Sequence, residues 1–229
     1  MVLRVRADFA VMEYVSARDH DWVASPERGV DRVMLDRIGD EIAVATSIVR
    51  YQPGSRFGAH MHERGEEFLV LDGVFADEHR EYPAGTYVRN PPGTRHTPRS
   101  DPGCTLFVKL RQFLPGDLQP VVVDIRGIDS TVPDGSTRSH VLHKFDDEVV
   151  FIVDGGKGGI ESFPACASAR DILMLSGEAD VQGQRLTPLD WLRAPAGKAI
   201  SMRFIRAGRA FVKTRPVLEQ GARQGRMNS

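Results

Sequence analysis

At a constant spacing of 104 residues, the second half of this chain repeats the turn and strand residues of the first. Ile48 and Val49 recur as Ile152 and Val153, Gly54 as Gly158, Leu69 and Leu71 as Leu173 and Leu175, and Gly73 as Gly177. Farther along, Arg89, Pro91 and Gly93 recur as Arg193, Pro195 and Gly197, and Phe107, Val108 and Lys109 as Phe211, Val212 and Lys213. No gap is needed, so each half is expected to be one copy of the same fold. The total length of 229 residues suits either one large domain or two, and the repeat decides for two.

The repeated unit reads as β-structure. Short apolar runs, among them IAVATSIVRY, EEFLVLDG, CTLFVKL, EVVFIVDGG, DILMLSG and RAFVKTR, are separated by Gly, Pro and Asp clusters. Their Val, Ile, Phe and Thr content and partial alternation favour half-buried strands of a sandwich or barrel, with little helix. The expected organisation is a first domain over residues 1–112, a linker over 113–120 within QFLPGDLQP, a second domain over 121–218 and a polar tail over 219–229.

Charge and cysteine usage exclude several classes of partner. Thirty basic residues against 31 acidic give a net charge of -1, so no global field draws the chain to nucleic acid or an anionic membrane. Cys104 and Cys166 are too few for a disulfide framework and match no zinc-ribbon spacing, which points to a reducing cytoplasm. The opening MVLRVRADFAVMEYV breaks its apolar run at Asp8 and Glu13, leaving no signal-peptide core. No run of apolar residues is long enough for a spanning helix.

The chemistry concentrates in PGSRFGAHMHERGEEFLVLDG. His60 and His62 are two apart in an expected strand and leave its same face. Glu66 shares their parity across a turn, and His96 follows NPPG, where a later strand can fold back. Three neutral imidazoles and a carboxylate converging there suit iron, manganese, nickel, copper or zinc, and leave coordination positions open.

The spacing Gly54-x5-His60-x-His62-x3-Glu66-x6-Gly73, followed by Gly85-x5-Pro91-x-Gly93-x2-His96, resembles the two consensus motifs of the cupin superfamily. Over about residues 30–112 the wording GEEFLVLDG, YPAGTYVRNPPG and GCTLFVKL is similar to the cupin domain of ChrR-type anti-sigma factors. The resemblance implies two tandem jelly-roll barrels, a bicupin, with the metal held in the first by His60, His62, Glu66 and His96. Ser100 stands where the second motif usually ends in Asn, a position that is not a ligand in the family.

The second copy is expected to be degenerate, because the offset takes His60, His62, Glu66 and His96 to Pro164, Cys166, Arg170 and Ile200. Cys166 is read as a small buried residue. His140 and His143, at odd spacing, are expected on opposite faces of a strand in structural or solvated roles. Arg50, Tyr51, Arg56 and Tyr87 flank the motifs as candidate pocket residues. The Phe75–Gly85 loop is a candidate lid with His79 in solvent. DGGKGG, residues 154–159, lacks the spacing of a phosphate loop and reads as a turn.

Two functions follow from different sides of this reading. A metal centre with open positions suits an enzyme of dioxygenase type that cleaves a small dicarbonyl, enol or aromatic hydroxyketone, with Glu66 available as a base. The ChrR-like wording suits instead a zinc-bound sensory cupin. ChrR-type factors also carry a helical zinc domain with a His-x3-Cys-x2-Cys motif, and the first 30 residues here contain no cysteine, so a sigma-factor partner is not expected. A purely structural bicupin is the third alternative. The expected partner is a small molecule. A homodimer is compatible with the chain but not demanded, since the second copy already supplies a barrel-to-barrel contact.

Overall fold

Residues 2–216 of the computed structural model are described here; the polar tail expected from residue 219 lies outside them. Among the described residues, apart from two short 3-10 turns, Ala17–Asp19 and Ile125–Gly127, the regular structure is β throughout, in one eleven-stranded sheet, one eight-stranded sheet and a two-stranded ribbon. Among the described residues no helix is long and apolar enough to cross a membrane.

The 104-residue offset reappears as strand register. Strand Val44–Tyr51 corresponds to Glu148–Gly155, and Glu66–Ala76 to the core of Ser168–Val181. Phe107 lies opposite Ile48 on one side and Leu69 on the other; Phe211 lies opposite Ile152 and Leu173. Even an irregularity repeats, for Leu71 and Leu175 are each the extra residue of a bulge. Gly73 and Gly177 sit two residues beyond, at φ 72° and 74°. A Cβ there would come within 2.1 and 2.2 Å of the carbonyl oxygens of Gly103 and Ala207, so both the backbone conformation and the close strand approach require glycine.

The offset changes in one place. The loop after Val30–Ile38 has five residues, whereas the one after Thr137–Phe145 has two, so upstream of it Leu35 and Leu142, each the extra residue of another bulge, are 107 apart. That second bulge overturns the expectation for His140 and His143. They lie opposite Ile152 and Val150, on one face of the sheet, because the inserted Leu142 resets the alternation.

Strand pairing also crosses the expected linker in both directions. Glu13–Val15, which precedes the first copy, pairs with Trp191–Arg193 of the second; Val121–Asp124, which precedes the second copy, pairs with Thr86–Arg89 of the first. The two copies thus exchange equivalent arms, as subunits of a strand-swapped dimer do. The linker is itself buried in part: Gln112 donates to the carbonyl of Ala45 and to Thr46 Oγ1, and Phe113 lies under the Arg89 guanidinium.

The core has three layers. Val30, Tyr51, Phe68, Val70 and Phe75 belong to the interior of the first copy, and Val153, Phe163, Ile172, Met202 and Phe204 to that of the second. Between them lie repeat-related pairs, Ile48 with Ile152, Leu69 with Leu173, Tyr87 with Trp191 and Phe107 with Phe211. The phenyl rings of the last pair meet edge to face at 5.5 Å.

Reciprocal buried ion pairs fasten this interface. Lys109 of the first copy bonds Asp171 of the second, and its repeat partner Lys213 reaches back to Glu67 at 2.7 Å. Around Lys213, Arg89 contacts Glu67 and Asp117 at 2.5 Å and Glu148 at 2.8 Å. Around Lys109, Asp36 accepts from Arg193 and Arg215 at 3.3 and 2.8 Å. Each of these deeply buried groups faces opposite charge at contact distance, which offsets the cost of removing it from water.

Candidate metal centre

The ribbon that carries the site pairs His60–His62 with Thr94–His96, placing His96 opposite His60 and Thr94 opposite His62. Strand alternation turns Met61 half out to solvent and buries His62 and His96. The three imidazole rings form a triangle with centroids 4.7, 4.8 and 5.0 Å apart. His60 Nδ1–H donates to the Gly58 carbonyl at 2.9 Å, which leaves Nε2 as its lone-pair nitrogen. His62 Nε2 and His96 Nε2 face each other at 3.0 Å, and one ring nitrogen from each histidine lies within 4.8 Å of the others.

Glu66 opens the strand Glu66–Ala76 immediately after the Gly65 turn. Its Oε2 stands 3.3 Å from His62 Nε2 and 3.6 Å from His96 Nε2. Burial opposes ionisation of this carboxyl, but His62, His96 and His60, with the Asn90 amide, bring it below its ordinary range. His62 is shifted down as well, mainly by burial, so it favours the neutral form a metal requires. These donors suit a divalent transition metal: three imidazole nitrogens and an ionised carboxylate at one point, with two of the nitrogens already at contact distance.

Two supporting residues were not singled out from the sequence. Asn90 lies opposite Glu66 in register and donates to its Oε2 at 3.2 Å. Asp77, buried, places Oδ2 3.6 Å from His96 Nδ1, a ring nitrogen with no hydrogen-bond partner of its own. Asp77 also accepts from the backbone N–H groups of His79 and Arg80 at 2.8 and 3.1 Å and from the Tyr82 hydroxyl at 3.0 Å. The expected lid is therefore a hairpin pinned beneath His96. His79 at its tip is exposed, and from this segment Phe75 lines the cavity. The Asx turn in Asp77-Glu-His-Arg is the local signal that could have found Asp77.

A cavity of about 510 Å³ opens beside the cluster. Its walls include His60, His62 and Glu66 with Val49, Tyr51, Phe57, Leu106 and Val108. Of the other flanking candidates, only Tyr51 faces it. Arg50 pairs with Asp31 and lies over the Trp22 ring, Arg56 pairs with Asp101 in solvent, and Tyr87 is buried between the two copies.

At the corresponding place in the second copy the Arg170 guanidinium donates to the carbonyls of Pro164 and Lys198. A fixed cation thus occupies the position of Glu66. Cys166 is half-buried rather than fully buried and donates to the Ser168 carbonyl at 3.3 Å, while Ile200 packs into the core. Cys104 is a core thiol, pushed up to about 11 by burial. A second compact set of potential ligands, Asp117, His143 and Glu148, lies in the interface between the copies. Its carboxylates are already neutralised by Arg89 and Lys213, which any metal would have to displace.

Residues 10–114 match the family model described as the ChrR cupin-like domain. No curated protein matches the chain in sequence. Among solved structures, a candidate dioxygenase of Nostoc punctiforme is 14% identical over 93% of this chain and 85% of its own, with a TM-score of 0.72. The bacterial pirin YhhW of Escherichia coli, in complex with nickel(II), is 16% identical over 90% of this chain and 99% of its own, at 0.64. The oxalate decarboxylase of Bacillus subtilis, which has Mn(II) centres, is 12% identical over 88% and 76%, at 0.60. At such identities the likeness is one of fold.

Proposed function

Taking the chain as a cupin whose residues 10–114 match the ChrR cupin-like family, we propose that its first barrel is a metal-dependent enzyme site. The reaction is of dioxygenase type on a small dicarbonyl, enol or aromatic hydroxyketone. The observation that carries this reading is the position of the donor cluster on the wall of a roomy, largely apolar cavity. Structural metal sites are closed by four protein ligands in a packed surround, whereas catalytic sites keep a face open to substrate.

His60, His62, Glu66 and His96 are the residues that would hold the metal. When bound, iron, zinc, manganese or nickel would supply Lewis acidity and a template for two substrate oxygens. The chain's own residues do the rest. The Gly58 carbonyl fixes the His60 tautomer, and Asp77 faces the far nitrogen of His96. Asn90 holds one oxygen of Glu66, whose ionised carboxylate is able to accept the proton of an enol or acidic C–H. Val49, Phe57, Leu106 and Val108 exclude water from the bound substrate.

The test is elemental analysis of protein purified under argon without a metal-affinity step, with His96→Ala alongside, followed by oxygen uptake with β-diketones, catechols and hydroxyketones. About one iron per chain, lost in the variant, with oxygen consumption on one of these classes is the expected result. About one zinc per chain and no oxygen uptake would replace it with a ChrR-like sensory cupin, the reading that the family match favours. On that reading a sigma factor is still not the expected partner, and its stoichiometric recovery in a pull-down would reverse that expectation.

A further inference from the structure

The cavity beside the histidines is apolar over most of its wall, yet three guanidinium groups line it, those of Arg32, Arg37 and Arg111. Arg32 lies opposite Val49 in strand register, two residues from the Val30–Tyr51 pair, so its side chain leaves the same face as these cavity residues. Its Nε is buried with no hydrogen-bond partner. Its outer nitrogen stands 3.6 Å from a carboxylate oxygen of Glu41, whose side chain is 66% exposed. An arginine buried against apolar groups normally satisfies its planar set of donors, and leaving one unmade is costly.

Apart from that solvent-exposed pair, the nearby charges are engaged elsewhere. Glu63 is engaged by Arg111 at 3.1 Å, and Glu66 faces the imidazoles. Glu27 also lines the cavity, with no contact to Arg32 at ion-pair distance. Arg37, nearly fully buried at the same end, spends its donors on the carbonyls of Gly39 and Asp40. Burial, followed by the nearness of Arg32, holds the Arg37 guanidinium below its ordinary range, as expected for two cations sharing one end of a cavity. The second copy has neither feature: the residue corresponding to Arg32 is Ser139, which bonds Glu161, and Phe151 stands in the place of cavity-lining Ser47.

We propose that Arg32 is the anion-recognition residue of this cavity, and that the natural occupant is an apolar molecule ending in a carboxylate that pairs with its guanidinium. The planar fork of arginine fits a carboxylate through two parallel N–H···O bonds from its outer nitrogens. This rests on the enzyme reading and deepens it by narrowing the substrate class: a dicarbonyl, enol or hydroxyketone that also carries a carboxylate, its apolar body spanning the cavity from Arg32 toward the histidine cluster.

The experiment is calorimetric titration of the full chain after chelator treatment, with octanoate and with octan-1-ol, probes of equal chain length that differ in charge. The expected result is that octanoate binds roughly tenfold more tightly than the alcohol. That preference should vanish in both Arg32→Met and Arg32→Gln, with octan-1-ol affinity unchanged in the Gln variant, which keeps a polar group and thereby guards against misfolding. Equal affinities, absence of binding by both probes, a preference surviving in Arg32→Gln, or one lost equally in Arg111→Met would each overturn the proposal. Because the titration is run without metal, it fails separately from the enzyme reading, which stands or falls on metal content and oxygen uptake.

Discussion

The two barrels share a backbone pattern down to their bulges, and differ in what fills them. At corresponding positions the first carries Ser47, Pro98, Ser100 and His96, where the second carries Phe151, Met202, Phe204 and Ile200. In the first a cavity of about 510 Å³ lies beside three histidines; in the second Met202, Phe204 and Ile200 belong to a packed core, with Phe151 against them. Arg170, bonded to backbone carbonyls, places a fixed cation where the first copy sets Glu66 beside three histidines. The lesson is that side-chain volume and the sign of one charge separate a site from a scaffold on the same fold, since interiors are close-packed and a few large residues consume a pocket.

The comparison is tested most severely by separating the halves. Residues 1–120 lack Val121–Asp124, the arm that covers strand Thr86–Asn90, and would expose Ile48, Leu69 and Phe107. The expected outcome in light scattering is a dimer in which each Glu13–Val15 arm covers the partner's open edge; a soluble, folded monomer would break the picture of two mutually dependent barrels.

The next effect concerns the two locks. Glu67→Ala removes a carboxylate shared by Lys213 and Arg89, leaving them Glu148 and Asp117, and Asp171→Ala removes the carboxylate that Lys109 bonds while Arg215 keeps Asp36, so each is expected to cost roughly 3 kcal/mol in urea unfolding, the low end for a broken buried pair. Comparable losses would show that the locks are equivalent; a loss confined to one would show that the interface is lopsided. Burial resists ionisation of both carboxyls, but Lys213 and Arg89 in one case and Lys109 and Arg215 in the other hold them below the usual range. Their contribution is therefore present above the unfolded pKa of about 4 and is lost only as pH falls through the depressed folded values, a steepening at the acid end that either variant should reduce.

Within the first barrel, Asp77→Asn is expected to weaken metal binding about 10- to 100-fold by removing the carboxylate beside His96, measured by competition with a chelating dye. Cys166→Ala, at the matching place in the second barrel, should leave it unchanged, and a loss there would mean that the second copy takes part in the site. The smallest effect is expected from Ser47→Phe, which copies Phe151 into the cavity. Octanoate binding should fall while stability changes by no more than about 1–3 kcal/mol in the same unfolding assay. Undiminished binding would show that volume is not what distinguishes the barrels.

Much of the architecture is legible because it is encoded locally. The repeat is carried by glycines at obligatory turns and by apolar residues at fixed strand positions, and the strand registers follow it through Phe107 and Phe211. His60, His62 and Glu66 stand out because period-two alternation and one tight turn bring them together, and His96 because it follows the NPPG turn of the second motif. Asn90 is not legible because it acts through a partner on another strand, where spacing along the chain carries no information, and the Asx turn that marks Asp77 locally says nothing of its nearness to His96. His140 and His143 were assigned to opposite faces because a bulge, a property of the paired strands, resets the alternation that a single strand would show.

The sequence by itself determined that there are two copies, that both are β, and that the first alone keeps histidine and glutamate at the four motif positions, because these depend on residue type and short-range spacing. Only the tertiary structure decided that the copies exchange arms, that the repeated lysines Lys109 and Lys213 reach across to Asp171 and Glu67, and that Arg32 lines the cavity. These relations join groups distant along the chain, as Glu13 and Arg193 of one exchanged arm are, and their pairing is set by how two twisted sheets pack face to face.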